Sequence, residues 1–194
     1  MALLMGLGLS ATCGFRVFVP LLGMSIATLA GHLEPASGFE WVGSWPALIC
    51  FAVAAVLEIG GYYIPWLDNL LDAIATPAAV VAGTIVTASM TGEMSPLLRW
   101  LLAIIAGGGS AGAVQLATAF LRGSSTATTG GAANPVVSTG ELGASVVGTV
   151  LAIVIPVLSI LFVGCVMFMV LRLVRRKRRL EVVQGQANLP DSRD

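Results

Sequence analysis

Long apolar runs separated by short polar stretches make up most of this 194-residue chain. The runs span residues 2–30, 46–64, 73–90, 96–121 and 141–173. A helix needs about 20 residues to cross a hydrocarbon core that is ~30 Å thick, and each run approaches or exceeds that length. The pattern therefore predicts an all-α fold, a polytopic transmembrane helix bundle with about five crossings.

Helix-breaking residues interrupt these runs, and we expect broken or re-entrant segments there. Pro65 opens a link that extends to Asp72, and residues 123–139 form an uncharged link rich in Ser, Thr and Gly. The last run contains Pro156 and would be about 50 Å long as one straight helix. It either tilts and protrudes or begins with a re-entrant or interfacial piece.

Small residues recur in two patterns that concern packing. One is a stripe at every fourth position, which lets helices approach closely and predicts packing between helices or between identical subunits. Its members are Gly140, Ala144, Gly148 and Ala152. The other is a weak internal repeat at an offset of 100 residues, typical of inverted-repeat transporters. Its matches are Gly8, Ser10, Ala11, Leu21 and Gly23 with Gly108, Ser110, Ala111, Leu121 and Gly123.

The composition indicates that lipid, rather than water, surrounds most of the chain. Apolar residues make up 57% of the chain and charged residues only 10%, with a mean hydropathy of +0.93. Soluble domains carry about 25% charged residues. We therefore expect the lipid bilayer as the main partner, and no nucleic-acid partner.

A formal net charge of zero hides a strong asymmetry. Residues 1–171 carry three basic and seven acidic side chains, whereas residues 172–194 carry seven basic and three acidic ones. Six of these bases lie within residues 172–179, directly after the last apolar run, which is typical of a cytoplasmic flank. We predict a transmembrane domain at 1–175, a basic then polar disordered cytoplasmic tail at 176–194, and an N-terminus outside.

Glu58 is the sharpest candidate for function, because it lies well inside an apolar run. A carboxylate in hydrocarbon costs at least ~2.5 kcal/mol and needs a partner, a proton or a wet cavity. Arg16 lies about mid-span in the first run. The two alternatives are a structural Glu58–Arg16 ion pair and a site that handles an ion or a proton.

Four further polar residues are candidates for an ion or substrate site. Asp68 and Asp72 share a helical face and could hold a cation or a proton, or Asp68 could cap a helix at a solvated turn. Asn134 and Glu141 end the uncharged link. If the link re-enters the membrane, it lines a polar path; otherwise Glu141 is a first-turn acid favoured by the helix dipole.

The order of several motifs resembles the family described as domain of unknown function DUF4126, over about residues 5–175. The motifs are Trp41-Val-Gly-Ser-Trp-Pro-Ala-Leu48, Glu58, Ile64-Pro-Trp-Leu-Asp68, Asp72, Pro77, Gly83, Gly107–Gly109, Arg122, Asn134-Pro-Val-Val-Ser138 and Glu141. The family pattern has a His after the Gly-rich turn and then a Lys, where this sequence has Gln115 and Thr118. The resemblance implies a small bacterial inner-membrane protein and brings neither an activity nor a cofactor.

Enzymatic motifs are lacking in the sequence, so we expect no catalytic residue, no cofactor and no metal site. Zinc-protease, serine-hydrolase and phosphate-loop signatures are missing, and Cys13, Cys50 and Cys165 have no metal-ligand spacing. The sequence favours a small transporter or channel-like protein for ions or a small solute, with an intramembrane carboxylate site. The alternative is a non-transporting scaffold or assembly protein whose buried charges are structural pairs.

Overall fold

The computed structural model describes residues 1–64, 67–169 and 172, and all regular structure within them is helical. The helices are α1 (Ala2–Cys13), α2 (Phe18–Leu29), α3 (Trp45–Gly61), α4 (Leu67–Met90), α5 (Pro96–Leu102), α6 (Gly109–Thr129), α7 (Asn134–Val154) and α8 (Pro156–Met169). A π-helical segment, Ala103–Gly108, joins α5 to α6, and a short 3₁₀ helix, Glu40–Gly43, precedes α3. The prediction of an all-α fold is confirmed.

Three helical segments in the described part are long and apolar enough to cross a membrane. They are Leu70–Met90, Pro96–Thr129 and Asn134–Val154, whereas α1, α2, α3 and α8 are shorter apolar helices. Large apolar side chains such as Leu57, Ile105 and Leu161 are more than 60% exposed on the outside of the bundle. These helices are compatible with a membrane protein, but the predicted count of about five crossings is not confirmed.

The first apolar run folds back on itself as a helical hairpin. Helices α1 and α2 have twelve residues each and are joined by a bend at residues 14–17. At the start of α1, a Cβ built on Gly6 would lie 3.0 Å from the Met90 Cβ; in the second half of α2, the Ser89 hydroxyl donates to the Met24 sulfur at 3.6 Å. Because Ser89 and Met90 end α4, both open ends of the hairpin lie at that end of the bundle, and Arg16 lies at its tip.

Gly14 allows the tip of the hairpin to lie directly against α6. A Cβ at this position would lie 2.9 Å from the backbone nitrogen of Gln115. It would also clash with the Cβ of Val114. Backbone nitrogen cannot move aside as a flexible side chain can, so a larger residue would push the hairpin away from α6. The glycine thereby fixes where the Arg16 side chain enters the bundle.

Helix α4 packs closely against the π-helical segment through paired glycines. A Cβ on Gly83 would lie 2.8 Å from the Gly107 carbonyl oxygen, and one on Gly107 would lie 2.6 Å from the Gly83 carbonyl oxygen. The Ser10 hydroxyl of α1 donates to that same Gly83 oxygen at 2.6 Å. The glycine run around residue 107, a poor α-helix former, therefore provides a three-helix contact with almost no side-chain volume.

Replacing Gly107 with Ala should destabilise the bundle by about 1–3 kcal/mol, because the added methyl group meets backbone and the Thr87 side chain. Gly109→Ala is the matched control, since a Cβ there meets nothing within 4 Å. Thermal unfolding in detergent micelles measures both variants. Equal melting temperatures for the two would show that the close approach of α4 and the π-helical segment contributes nothing to stability.

The predicted uncharged link at 123–139 is mostly helix, so the boundaries predicted for the link were wrong. Helix α6 continues to Thr129, the left-handed Gly130 ends it, and α7 begins at Asn134. Hydroxyl groups in the last turns of α6 donate to carbonyl groups four residues back, as Thr129 does to Ser125 at 2.8 Å. Because these side chains satisfy their own hydrogen bonds within the helix, a Ser/Thr-rich composition does not require a loop.

The last apolar run is likewise two helices rather than one. Ile155 leaves helical geometry, with φ −138° and ψ 79°, and α8 starts at Pro156. A Cβ on Gly148 would lie 3.5 Å from the Phe162 ring, and one on Gly8 would lie 3.2 Å from both Ala152 and Ser159. These pairings show that α8 turns back along α7, so the run is broken at Pro156 and does not form the single straight helix of the first alternative.

The structure also bears on the predicted start of α4 and on the small-residue stripe, whereas some predictions concern residues outside the described part. Helix α4 begins at Leu67 rather than near residue 73, so Asp72 belongs to a helix and not to a link. In the small-residue stripe, Gly148 packs against Thr12, whereas Gly140 meets nothing. Pro65, Trp66, the side chain of Asp68, residues 173–179 of the basic run and the tail at 176–194 lie outside the described residues.

Candidate functional site

Five charged side chains from separate elements meet inside the bundle. Their sources are the hairpin tip (Arg16), α3 (Glu58), α4 (Asp72), α6 (Arg122) and α7 (Glu141). Both arginines are 1% exposed, Glu141 is 5% and Glu58 8% exposed, and the Asp72 side chain is 14% exposed. Together with Tyr62, which follows α3, they are called the charge cluster below.

Arg122 contacts three other members of the charge cluster: Asp72, Glu141 and Tyr62. Its Nη1 lies 2.8 Å from Asp72 Oδ1 and its Nε lies 3.2 Å from Glu141 Oε1. Its guanidinium carbon lies 4.2 Å from the centre of the Tyr62 ring, and the Tyr62 hydroxyl donates to Asp72 at 3.2 Å. One arginine thus connects α4, α6 and α7 and stacks on the residue that ends α3.

Within the described part, Arg16 makes one hydrogen bond and a longer ion pair than Arg122 does. Its Nη2 donates to the Ser138 carbonyl oxygen at 3.0 Å and lies 3.8 Å from Glu141 Oε2. Its guanidinium carbon lies 3.9 Å from the centre of the Tyr62 ring, so the same aromatic ring stabilises both cations. The Arg16 Nε and Nη1 atoms are buried and have no hydrogen-bond partner in the described residues.

Glu58 caps the N-terminus of α2 from the neighbouring helix. Its Oε1 accepts from the backbone N–H of Val17 at 2.7 Å, and its Oε2 accepts from that of Phe18 at 3.0 Å. A helix N-terminus leaves such donors unpaired and favours negative charge. The ion-pair partner of Arg16 is therefore Glu141, and the predicted Glu58–Arg16 ion pair was wrong, although the two side chains are neighbours.

Of the six predicted site residues, four meet in the charge cluster: Arg16, Glu58, Asp72 and Glu141. Asn134 lies on the same buried face of α7 as Glu141, but its Nδ2 donates to Thr126 at 2.8 Å and ties the α6–α7 turn. Asp68 lies in α4, with a side chain outside the described part. Glu141 follows nearly two turns of helix, so it is not the first-turn acid of one prediction.

Arg122 was not among the residues predicted for the site, although a sequence signal for it exists. Gln115, Thr118, Arg122 and Ser125 are spaced by three, four and three residues and are all buried on one face of α6. That spacing is typical of a polar stripe facing a helix interior. Ending the helix at residue 121 removed Arg122 from the pattern.

Hydrogen bonding within the charge cluster is incomplete around Glu141. Glu58 and Asp72 accept hydrogen bonds, whereas neither Glu141 oxygen has a partner of hydrogen-bond geometry among the described residues, despite its two ion-pair contacts. With every group ionised, three carboxylates face two guanidinium groups. The surplus negative charge and the free acceptors both fall on Glu141, which is therefore the member best placed to take up a proton.

The described part of the chain contains no set of side chains that could bind a metal ion. No group of three or more His, Cys, Asp or Glu side chains there could hold a metal ion. Cys13 is buried, and Cys50 and Cys165 are exposed.

Comparison with known proteins identifies one family. The family model described as "Domain of unknown function (DUF4126)" matches residues 3–176, nearly the whole chain. No curated protein and no solved structure matches the chain.

Proposed function

Since the chain belongs to the DUF4126 family, whose description assigns no function, we propose its activity from geometry: it is a small proton-coupled membrane transporter in which Glu141 carries the proton. The observation that supports this most is the position of Glu141 between two buried arginines, 3.2 Å from Arg122 and 3.8 Å from Arg16. A carboxylate with two cationic neighbours, and with no hydrogen bond from the described residues, gains or loses a proton without breaking a hydrogen-bonded framework.

The hairpin supplies the second support. Short helices that end inside the bundle, with a backbone N-terminus aimed at an acidic group, are typical of secondary transporters. Here α2 begins inside the bundle and its N-terminus faces Glu58. In this proposal α1 and α2 form a re-entrant hairpin, and the five crossings are α3, α4, α5 with α6, α7, and α8.

We also propose in which membrane the protein lies and on which side each terminus is found. The protein resides in a bacterial inner membrane, with an external N-terminus and a cytoplasmic C-terminus. The basic residues at 172–179 support this orientation through the bias of Lys and Arg towards the cytoplasmic side. The charge cluster then lies towards the cytoplasmic half, since the α3–α4 and α6–α7 turns are on the C-terminal side.

Glu141→Gln should abolish proton flux, because the amide keeps the shape of the side chain and cannot change its charge. The measurement is acidification of proteoliposomes that contain a pH-sensitive dye, driven by an inward proton gradient with candidate solutes outside, because a coupled transporter moves the proton only together with its second substrate. Glu93→Gln, at an exposed position in the α4–α5 turn, is the matched control and should retain the wild-type rate. Folded Glu141→Gln protein with the wild-type flux would rule out this role for Glu141.

A scaffold function is the second candidate, and one observation favours it. Both Glu58 oxygens are used for backbone capping, so at least one intramembrane carboxylate has a structural role. In a pure scaffold the Glu141→Gln variant would show no transport defect because the wild type transports nothing. Assembly into homo-oligomers through the small-residue stripe belongs to this second proposal.

A further inference from the structure

Arg16 has more hydrogen-bonding capacity than the protein uses. A guanidinium group carries five N–H donors. Nη2 contacts Ser138 and approaches Glu141, but Nε and Nη1, which carry three of the five, have no partner in the described residues. The side chain is 1% exposed, so bulk water does not satisfy these donors. Buried donors of a charged group are costly to leave unpaired.

The surroundings of Arg16 become suitable for an anion once Glu141 is protonated. Glu141 faces Arg16 at the hairpin tip, Arg122 of α6, Asp72 of α4 and Glu58 of α3. With a neutral Glu141, two guanidinium groups balance Asp72 and Glu58. The Asp72 charge is paired directly with Arg122, and the Glu58 charge is bound by the α2 N-terminus. Among the described residues, Arg16 then has no close anionic partner.

We infer that Arg16 binds an oxyanion, a carboxylate or phosphate group, through its free Nε and Nη1 donors. This inference rests on the proposed proton role of Glu141, because an ionised Glu141 would repel the ligand. The protein is then a symporter of a proton and an anion, with both ligands held at the hairpin tip. Arginine suits this task, since its charge is permanent and its donors match the oxygen atoms of such groups.

Two sources can present this oxyanion, a free solute or an anionic lipid headgroup, and two arms of one experiment separate them. In the first arm, protein in nanodiscs of phosphatidylcholine is titrated calorimetrically with inorganic phosphate and with acetate. Titration in two buffers of different protonation enthalpy gives the number of protons taken up. In the second arm, the melting temperature is compared between phosphatidylcholine nanodiscs and nanodiscs containing phosphatidic acid.

A free solute as the source should give saturable binding with uptake of about one proton, and a lipid headgroup should give only a rise in melting temperature in the second arm. Arg16→Gln should weaken binding by about tenfold or more, because charge-assisted hydrogen bonds are lost. Arg99→Gln is the control and should bind as the wild type does, since Arg99 lies over Phe39, apart from the cluster. Glu141→Gln should still bind the oxyanion but take up no proton.

The outcomes separate this inference from the proposed function. Wild-type protein that binds neither solute and gains no stability from phosphatidic acid overturns the oxyanion site, even if Arg16→Gln fails to fold. Proton flux in that same protein would leave the role of Glu141 intact. Binding that depends on Arg16 without proton uptake supports the oxyanion site and contradicts a proton on Glu141.

Discussion

Replacing Arg122 with Met should lower the free energy of unfolding by about 3–5 kcal/mol, one of the two largest effects expected for a single side chain in this protein. Arg122 neutralises Asp72 at 2.8 Å and Glu141 at 3.2 Å, and it is 1% exposed. Removing one partner of a buried ion pair leaves an uncompensated charge, which costs far more than the pair itself contributes. Thermal unfolding in detergent should show a fall of roughly 6–20 °C.

Two further variants identify the cause of that loss. Arg99→Met removes an arginine of α5 that lies over Phe39, 5.5 Å from the ring centre, and should change the melting temperature little. Adding Asp72→Asn and Glu141→Gln to Arg122→Met should recover much of the stability, because the stranded carboxylates are then neutral. If the triple variant melts no higher than Arg122→Met alone, packing rather than charge explains the loss.

Glu58→Leu should destabilise the protein by about 2–6 kcal/mol, the other of the two largest effects, because it leaves two N–H groups, one buried and one partly buried, without an acceptor at about 1–3 kcal/mol each. Glu58→Gln keeps one oxygen acceptor and should lose about half as much. The matched control is Glu40→Gln, since the Glu40 carboxylate also accepts a backbone N–H, from Gly38 at 2.9 Å, but at an exposed site. Thermal unfolding of the three variants gives the comparison.

A double-mutant cycle separates helix capping from ion pairing at Glu58. Arg16→Gln should reduce stability by nearly the same amount in the wild type and in Glu58→Gln, because the direct contacts of Arg16 are Ser138, Glu141 and Tyr62. The corresponding cycle for Arg122 and Asp72 should show a much larger coupling energy. Coupling between Arg16 and Glu58 as large as in that second cycle would contradict the capping role.

Apolar periodicity and charge were sufficient to predict a helical membrane bundle and four members of the charge cluster. They succeeded because a charge inside an apolar run is rare and needs compensation wherever it lies. The choice of partner was not predictable, since it depends on the fold-back of α1 and α2. That fold-back brings backbone N–H groups, which carry no sequence signature, towards Glu58.

Helix boundaries were predicted least well where hydroxyl side chains dominate. Thr126, Thr128 and Thr129 look like loop residues in a sequence, but each donates to a carbonyl group of the preceding turn. Because of this error Arg122 was left out of the predicted site, since a helix that ends at residue 121 places Arg122 in a loop. In apolar surroundings, hydrogen bonds within the helix are strongly favoured. Loop propensities of Ser and Thr taken from water-soluble proteins therefore predict helix ends there poorly.

The capping of α2 by Glu58 also sets an order of events during biosynthesis. Val17 and Phe18 emerge from the ribosome about 40 residues before the carboxylate that binds their N–H groups. Until α3 has formed, the tip of the hairpin has two unsatisfied N–H donors, which hydrocarbon tolerates poorly. In the proposed membrane topology, the α1–α2 hairpin should therefore stay in contact with water until α3 is present and then become buried together with it.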